Sequence, residues 1–198
     1  YLKIYEDHQS DEGIHRICKK YNITNYTINS DKSIDVNDNV SLRDKNLKYI
    51  PLNFNYISGS FYCGDDNNLT SLKGCPKEVG GYFYCSGNNL TSLKGCPEKV
   101  GGRFSCSNNK LISLKGCPKE VEGGFSCINN NNLKDIKDLP KLNYNQKVNF
   151  EYTPFEEISK ILDNNGYNLS EYVKDYDKIH KFGDDSIVLP LFNLLLLR

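Results

Sequence analysis

Apolar residues in the middle of the chain recur in columns. Phe61, Phe83, Phe104 and Phe125 stand 22, 21 and 21 residues apart, and Cys63, Cys85, Cys106 and Cys127 each follow two positions later. Leu69, Leu90, Leu111 and Leu133 come next, then Leu72, Leu93, Leu114 and Ile136, then Cys75, Cys96 and Cys117, then Val79, Val100 and Val121. One unit of this kind cannot bury its own apolar face, so the pattern predicts a stack in which each copy covers the next. Phe-x-Cys alternates with period two, which predicts a short strand with both side chains inward. Asn67, Asn88, Asn109 and Asn131 each precede the first leucine by two positions, where the chain must turn. A buried amide there can bond the backbone groups that a turn leaves unpaired, so these four residues are the expected asparagine ladder. Gly-Cys-Pro stops any helix on the return arm. Gly80, Gly81, Gly101 and Gly102 permit a second bend.

The pattern fades toward both ends without stopping. Val40-x-Leu42, with Leu47, Ile50 and Pro51, sits one period before Phe61, and Val148-x-Phe150, with Phe155, sits 23 residues after Phe125. Both read as degenerate end repeats. Each inward Phe is expected to contribute roughly 1.5–3 kcal/mol by burial.

Outside the repeats the pattern changes. Residues 11–21 predict a short helix, and Tyr26 to Val36 a hairpin with its turn at Ser30 to Ser33. Thr153-Pro154-Phe155-Glu156 reads as a helix start, with Thr153 as cap and Glu156 completing a capping box. Phe155, Ile158, Ile161 and Leu162 give that helix one apolar face and Gly166 ends it. Tyr172, Val173, Tyr176 and Ile179 predict a second helix, and the apolar segment from Ser186 to Arg198 is expected to pack on both. The expected division is an N-terminal helix-and-hairpin cap over 1–39, a solenoid over 40–152 and a helical C-terminal cap over 153–198, an α+β chain.

The repeated units, such as "YFYCSGNNLTSLKGCPEKVGG" and "RFSCSNNKLISLKGCPKEVEGG", resemble the leucine-rich repeat, L-x-x-L-x-L-x-x-N-x-L. Phe and Cys stand where two leucines are usual. The repeat length is near the short end of that family and looks most like its short bacterial class, whose return arm is extended. The resemblance covers about residues 40–150 and implies parallel strands forming one curved sheet. A second resemblance rests on "YTINSDKSIDVNDNVSL" before the repeats, the "LTSLKGCPKEVGG" units and "DYDKIHKFGDDSIVL" after them. These are similar to segments of uncharacterised leucine-rich-repeat proteins encoded by bacteriophages. That implies a phage-encoded, non-enzymatic scaffold for protein binding or assembly, with a virion as one expected place. A soluble effector that binds a host protein is the alternative.

The chain of 198 residues balances 25 Lys and Arg against 25 Asp and Glu. No basic field points to nucleic acid. It contains no Met and opens on Tyr1, which implies a start lost to processing or disorder. The visible N-terminus has no signal-peptide pattern. The longest apolar run, Ile187 to Leu197, is interrupted by Pro190 and Asn193 and is too short to span a membrane. No membrane contact is expected.

Eight cysteines raise disulfide and metal chemistry. Seven fall in the two columns already named. Column neighbours would lie one rung apart, about 4.8 Å, against the roughly 3.8 Å between Cβ atoms that a disulfide prefers. No C-x-x-C pair offers a zinc site. Small buried core residues are therefore expected, and reduced thiols imply synthesis in a reducing, cytoplasmic compartment. The acidic clusters Asp35 to Asp38 and Asp65-Asp66 lack EF-hand spacing and read as solvated loops. Sequons at Asn22, Asn25, Asn39, Asn68, Asn89 and Asn168 are expected by chance in an Asn-rich chain. His8, His15 and His180 lie outside the repeats, and no nucleophile, base or phosphate-loop arrangement accompanies them. The expectation is a chain that is not an enzyme, with no cofactor and no metal.

With Phe and Cys inward, their neighbours face out on the expected concave side. Tyr62, Tyr82, Tyr84, Arg103 and Ser105 are the predicted partner-binding residues, since Tyr and Arg join large contact area to a polar tip. The competing reading is that tyrosine simply suits strands. On the return arm Lys77, Glu98 and Lys119 alternate in sign, as do Glu78, Lys99 and Glu120, which supports register. Lys73, Lys94 and Lys115 form a like-charged column that could meet an acidic surface or be a solvated edge.

Overall fold

The computed structural model describes residues 10–65, 68–136, 138–140, 142, 148–156, 159–160 and 164. They form a parallel β-solenoid of about five turns with a single short helix. The helix α1 (Asp11–Lys20) comes first. The strands follow as β1 (Tyr26–Ile28), β2 (Ile34–Val36), β3 (Val40–Ser41), β4 (Phe54–Ile57), β5 (Phe61–Tyr62), β6 (Glu78–Val79), β7 (Phe83–Tyr84), β8 (Lys99–Val100), β9 (Phe104–Ser105), β10 (Glu120–Val121), β11 (Phe125–Ser126) and β12 (Val148–Asn149).

The strands make two sheets where one was expected. The first runs β1-β2-β4-β6-β8-β10 and the second β12-β11-β9-β7-β5-β3. The return arm is extended, as the repeat implied, but it also pairs rung to rung. Glu78 and Val79 lie beside Lys99 and Val100, which lie beside Glu120 and Val121. An extended arm one rung from its copy has every N–H and C=O positioned to bond it, so a second ladder costs nothing further.

Each turn of the coil has three sides. A return strand leads through a corner such as Gly80-Gly81 into a front strand such as β7. An asparagine corner then leads into a Leu-x-x-Leu side whose two leucines are both buried. That third side is tied more sparsely, by bonds such as Asn89 N–H to Leu69 C=O and Lys110 N–H to Leu90 C=O, both 2.9 Å. A β-turn closes the rung: Cys96 N–H bonds Leu93 C=O at 3.0 Å. Gly95 sits third in that turn at φ +93°, where a side chain would be strained.

One corner repeats a single backbone conformation. Asp44, Asp65, Gly87, Asn108, Asn129 and Tyr152 all have φ between 53° and 69°. Asp, Asn and Gly are the residues that enter this region most readily. The column therefore extends from the rung containing Val40 to the rung containing Val148, so both end repeats carry the front strand and this corner. Val40 pairs with Phe61, and Val148 with Phe125.

The core is a spine of phenylalanines. Phe61, Phe83, Phe104 and Phe125 are buried, and their rings stack one per rung at centroid distances of 5.7, 5.6 and 5.3 Å. Phe54 meets Phe61 edge-on at one end, and Phe150 continues the row at the other. Such pairs add about 0.5–1.5 kcal/mol beyond the area they bury. Cys63, Cys85, Cys106 and Cys127 are fully buried beside them.

Buried asparagines fasten the corner. Asn109 donates from Nδ2 to Cys85 C=O at 3.1 Å, Cys106 C=O at 3.0 Å and Ser107 C=O at 3.1 Å, and accepts Leu90 N–H at 3.0 Å. Asn88 and Asn130 repeat this arrangement one rung to either side. The fourth expected position is thereby corrected. Asn131 is exposed, and Asn130 is the ladder residue. The reason is register: this rung carries an extra residue before Leu133, so the distance from Cys127, not the distance to the leucine, fixes the site. Asn67 lies outside the described residues. In the last rung buried Thr153 stands where the asparagine would and donates to Phe150 C=O at 2.7 Å.

At the N-terminal end Ser10 caps α1 by accepting Gly13 N–H at 3.0 Å. The buried Ile14 and Cys18 turn the helix toward the core. The hairpin forms as predicted, with Tyr26 opposite Val36, and β2 joins it in parallel to β4. At the other end Phe155 N–H bonds Thr153 Oγ1 at 3.2 Å, and Glu156 reaches back to Tyr152 N–H at 2.9 Å. The reach-back thus falls one residue earlier than a capping box on Thr153 would place it. Ser159 and Lys160 are helical. The remaining helix residues predicted at Ile158, Ile161, Leu162 and Gly166, the second helix, the apolar segment, His8 and His180 lie outside the described residues.

Candidate functional site

The second sheet presents Tyr62, Tyr82 and Tyr84 on its outer surface because each alternates with an inward Phe or Cys. Their arrangement depends on Arg43, which falls in none of the repeat columns of Phe, Cys, Leu or Val. The Arg43 guanidinium lies 4.5 Å from the ring centroids of both Tyr62 and Tyr84, which are themselves 6.5 Å apart. Asp65 holds the group from the side: its Oδ1 accepts the Tyr84 hydroxyl at 3.2 Å, and its Oδ2 lies 3.2 Å from Arg43 Nε. That nitrogen is buried and not aligned for a hydrogen bond, so the link to Asp65 is ionic. Burial, reinforced by the Asp65 carboxylate, raises the Tyr84 hydroxyl above the usual tyrosine range. It remains a neutral donor at physiological pH.

Gly64 makes the group possible. A Cβ there would lie 2.5 Å from the Tyr84 ring. Without one, Tyr84 leans across the intervening rung toward Arg43. In register Arg43 follows Leu42 as Gly64 follows Cys63, and that alignment of the degenerate first repeat was the available pointer to it.

Tyr82 stands in the neighbouring column, 55% exposed, with its ring over Gly102. Arg103 is exposed beside it in register. Among the described residues Arg103 joins neither the ring stack nor an ion pair. Ser105 departs from its expected role. It is buried, and its hydroxyl lies 2.8 Å from Ser86 Oγ and 3.4 Å from Ser107 Oγ. Ser107 continues the chain to Ser126 at 2.9 Å. Small outward side chains on a flat ladder sink between their neighbours and satisfy one another. Ser105 therefore belongs to the floor of the face, with Tyr84 and Arg103 standing above it.

The arrangement offers aromatic surface, one clamped and one free guanidinium, and hydroxyls. It brings no nucleophile to a base. Among the described residues no group of three or more His, Cys, Asp or Glu could hold a metal ion. His15 is engaged on α1, with Nδ1 2.5 Å from the Tyr26 hydroxyl. No helix of the described residues is long and apolar enough to cross a membrane. No protein family, curated protein or solved structure matches the chain.

Proposed function

We propose that the chain is a leucine-rich-repeat protein that binds another protein through the outer face of its second sheet, as a scaffold and not as an enzyme. The observation that carries this reading is the Tyr62–Arg43–Tyr84 stack held by Asp65. Aromatic and arginine side chains dominate the energetics of protein interfaces when they are already ordered, because less rotamer entropy is lost on binding. Arg43 orders two tyrosines, and the rung ladder orders Arg43. Tyr82 and Arg103 extend the contact. By its resemblance to phage-encoded proteins, the reading extends to a phage assembly role, in the virion, with a host protein as the alternative partner.

Affinity capture from the native source tests this, with a Tyr62→Ala/Tyr84→Ala/Arg103→Ala variant run in parallel. A partner retained by wild type and lost by the variant is the expected result, and its identity separates a virion component from a host target. Equal capture by both proteins would remove the face from the contact.

A further inference from the structure

The third side of the coil distributes charge differently from the return arm. On the first sheet opposite charges pair between rungs: Lys119 Nζ lies 2.7 Å from Glu98, and Lys99 Nζ lies 3.7 Å from Glu120 and 3.5 Å from Glu122. In the β-turns that end the Leu-x-x-Leu side, Lys73, Lys94 and Lys115 occupy one column on successive rungs, all exposed. Among the described residues none of the three has an acidic partner. Lys48, Lys110 and Lys134 add positive charge beside that column, against Asp135 and Asp138 at the last of these rungs. The whole chain is neutral, so this excess is a matter of placement.

Like charges repeated at a rung spacing of about 4.8 Å repel, and the return arm shows how alternation removes that cost. A column without alternation is stabilised by an anion outside the chain. The surroundings indicate its chemistry. Asn68 Nδ2 donates to Asn46 Oδ1 at 2.7 Å and Asn89 to Asn68 at 3.4 Å, an amide row that keeps further donors and acceptors for a ligand. Thr70, Ser71, Thr91 and Ser92 are exposed between that row and the lysines. The side thus offers one cation per rung beside neutral hydroxyls and amides. Stacking rings, which single-stranded nucleic acid uses, are scarce here.

We propose that this side binds a polyuronate, an acidic polysaccharide with one carboxylate per sugar, lying along the axis of the coil. Lys73, Lys94 and Lys115 each meet a carboxylate. The Asn46–Asn68–Asn89 row meets sugar hydroxyls. The proposal does not depend on the tyrosine face, which lies on another side.

The test is retardation of the full chain in gels containing polygalacturonate, with polyglutamate gels of equal charge, oligothymidylate and phosphatidylglycerol vesicles as comparisons. Lys73→Ser/Lys94→Ser/Lys115→Ser should weaken polygalacturonate binding by about tenfold or more at about 50 mM salt. Lys77→Ser/Lys99→Ser/Lys119→Ser, with the same loss of charge on the return arm, should leave it within about twofold. Asn68→Ala should weaken binding to polygalacturonate without further effect on polyglutamate. Far-ultraviolet circular dichroism checks that each variant is folded. Absence of retardation by polygalacturonate, equal loss in both lysine triples, or equal affinity for polyglutamate, oligothymidylate or vesicles would each overturn the proposal.

Discussion

Asn109 Oδ1 accepts the backbone N–H of Leu90, one rung earlier, at 3.0 Å, while its amide nitrogen bonds carbonyls of both rungs. One side chain thus satisfies backbone groups that the corner withdraws from both ladders. Truncating it leaves several buried polar groups unpaired, at about 1–3 kcal/mol each before relaxation. Asn109→Ala should therefore destabilise the chain by about 2–4 kcal/mol, read as a lower urea midpoint with an unchanged slope. Asn131→Ala, at the exposed neighbour of the true ladder position, should stay within about 0.5 kcal/mol of wild type. Equal effects of the two substitutions would count against the assignment.

That pair also shows where the sequence was legible. Columns of Phe, Cys, Leu and Val revealed the rungs, because burial repeats with the period. The hairpin was readable from two strand-forming segments around a polar turn, and α1 as a short helix over residues 11–21, while its Ser10 cap emerged only in the structure. The ladder position in the fourth rung was not, because an inserted residue separates two rulers that agree only in the rungs of Cys85 and Cys106. Pairing of the return arms showed only in the alternating charges of Lys77, Glu98 and Lys119 and of Glu78, Lys99 and Glu120, since two-residue strands carry little pattern of their own. Arg43 was hidden for a different reason. Its partners Tyr84 and Asp65 come from other rungs, and only the absence of a side chain at Gly64 lets them meet.

Tyr152 has φ 54° at the corner where other rungs use Asp, Asn or Gly, and it is 69% exposed. A tyrosine in this region carries about 1–2 kcal/mol of strain, which asparagine reduces by bonding its own backbone. Tyr152→Asn should raise stability by about 0.5–1 kcal/mol. The backbone bond from Tyr152 N–H to Glu156 survives the change. A lower unfolding midpoint would indicate that the ring has a packing role outweighing the strain.

Arg43→Ala should uncouple the stability of the fold from the order of the binding face. Arg43 and Asp65 are both partly exposed, so their ion pair contributes at most about 1 kcal/mol, and a pair of cation–π contacts at such a site about 0.5–1 kcal/mol each. The rungs themselves do not pass through Arg43's side chain. Unfolding should shift by no more than about 3 kcal/mol. The Tyr84 ring should gain freedom, seen by NMR as increased motion. Unchanged Tyr84 dynamics would show that Gly64 and Asp65 alone hold the ring.

The cysteines lead to a pH prediction. Burial pushes the Cys75, Cys96, Cys106 and Cys117 thiols well up and the Cys85 thiol up. Cys96 and Cys117 are partly exposed as residues but pack against the core. A raised folded value means that the folded chain keeps protons which the unfolded chain releases above about pH 8.5. Stability is then complete below that pH and falls as pH rises toward the folded values, by up to about 1.4 kcal/mol per pH unit for each such thiol. Urea midpoints should be level from pH 7 to about pH 8 and decline steeply above it. Replacing Cys75, Cys96 and Cys117 with Ala should reduce the slope. At pH 7 a thiol reagent should leave these cysteines untouched in the folded chain and label them after unfolding. Rapid labelling of the folded chain, or a midpoint level through pH 10, would contradict the buried placement.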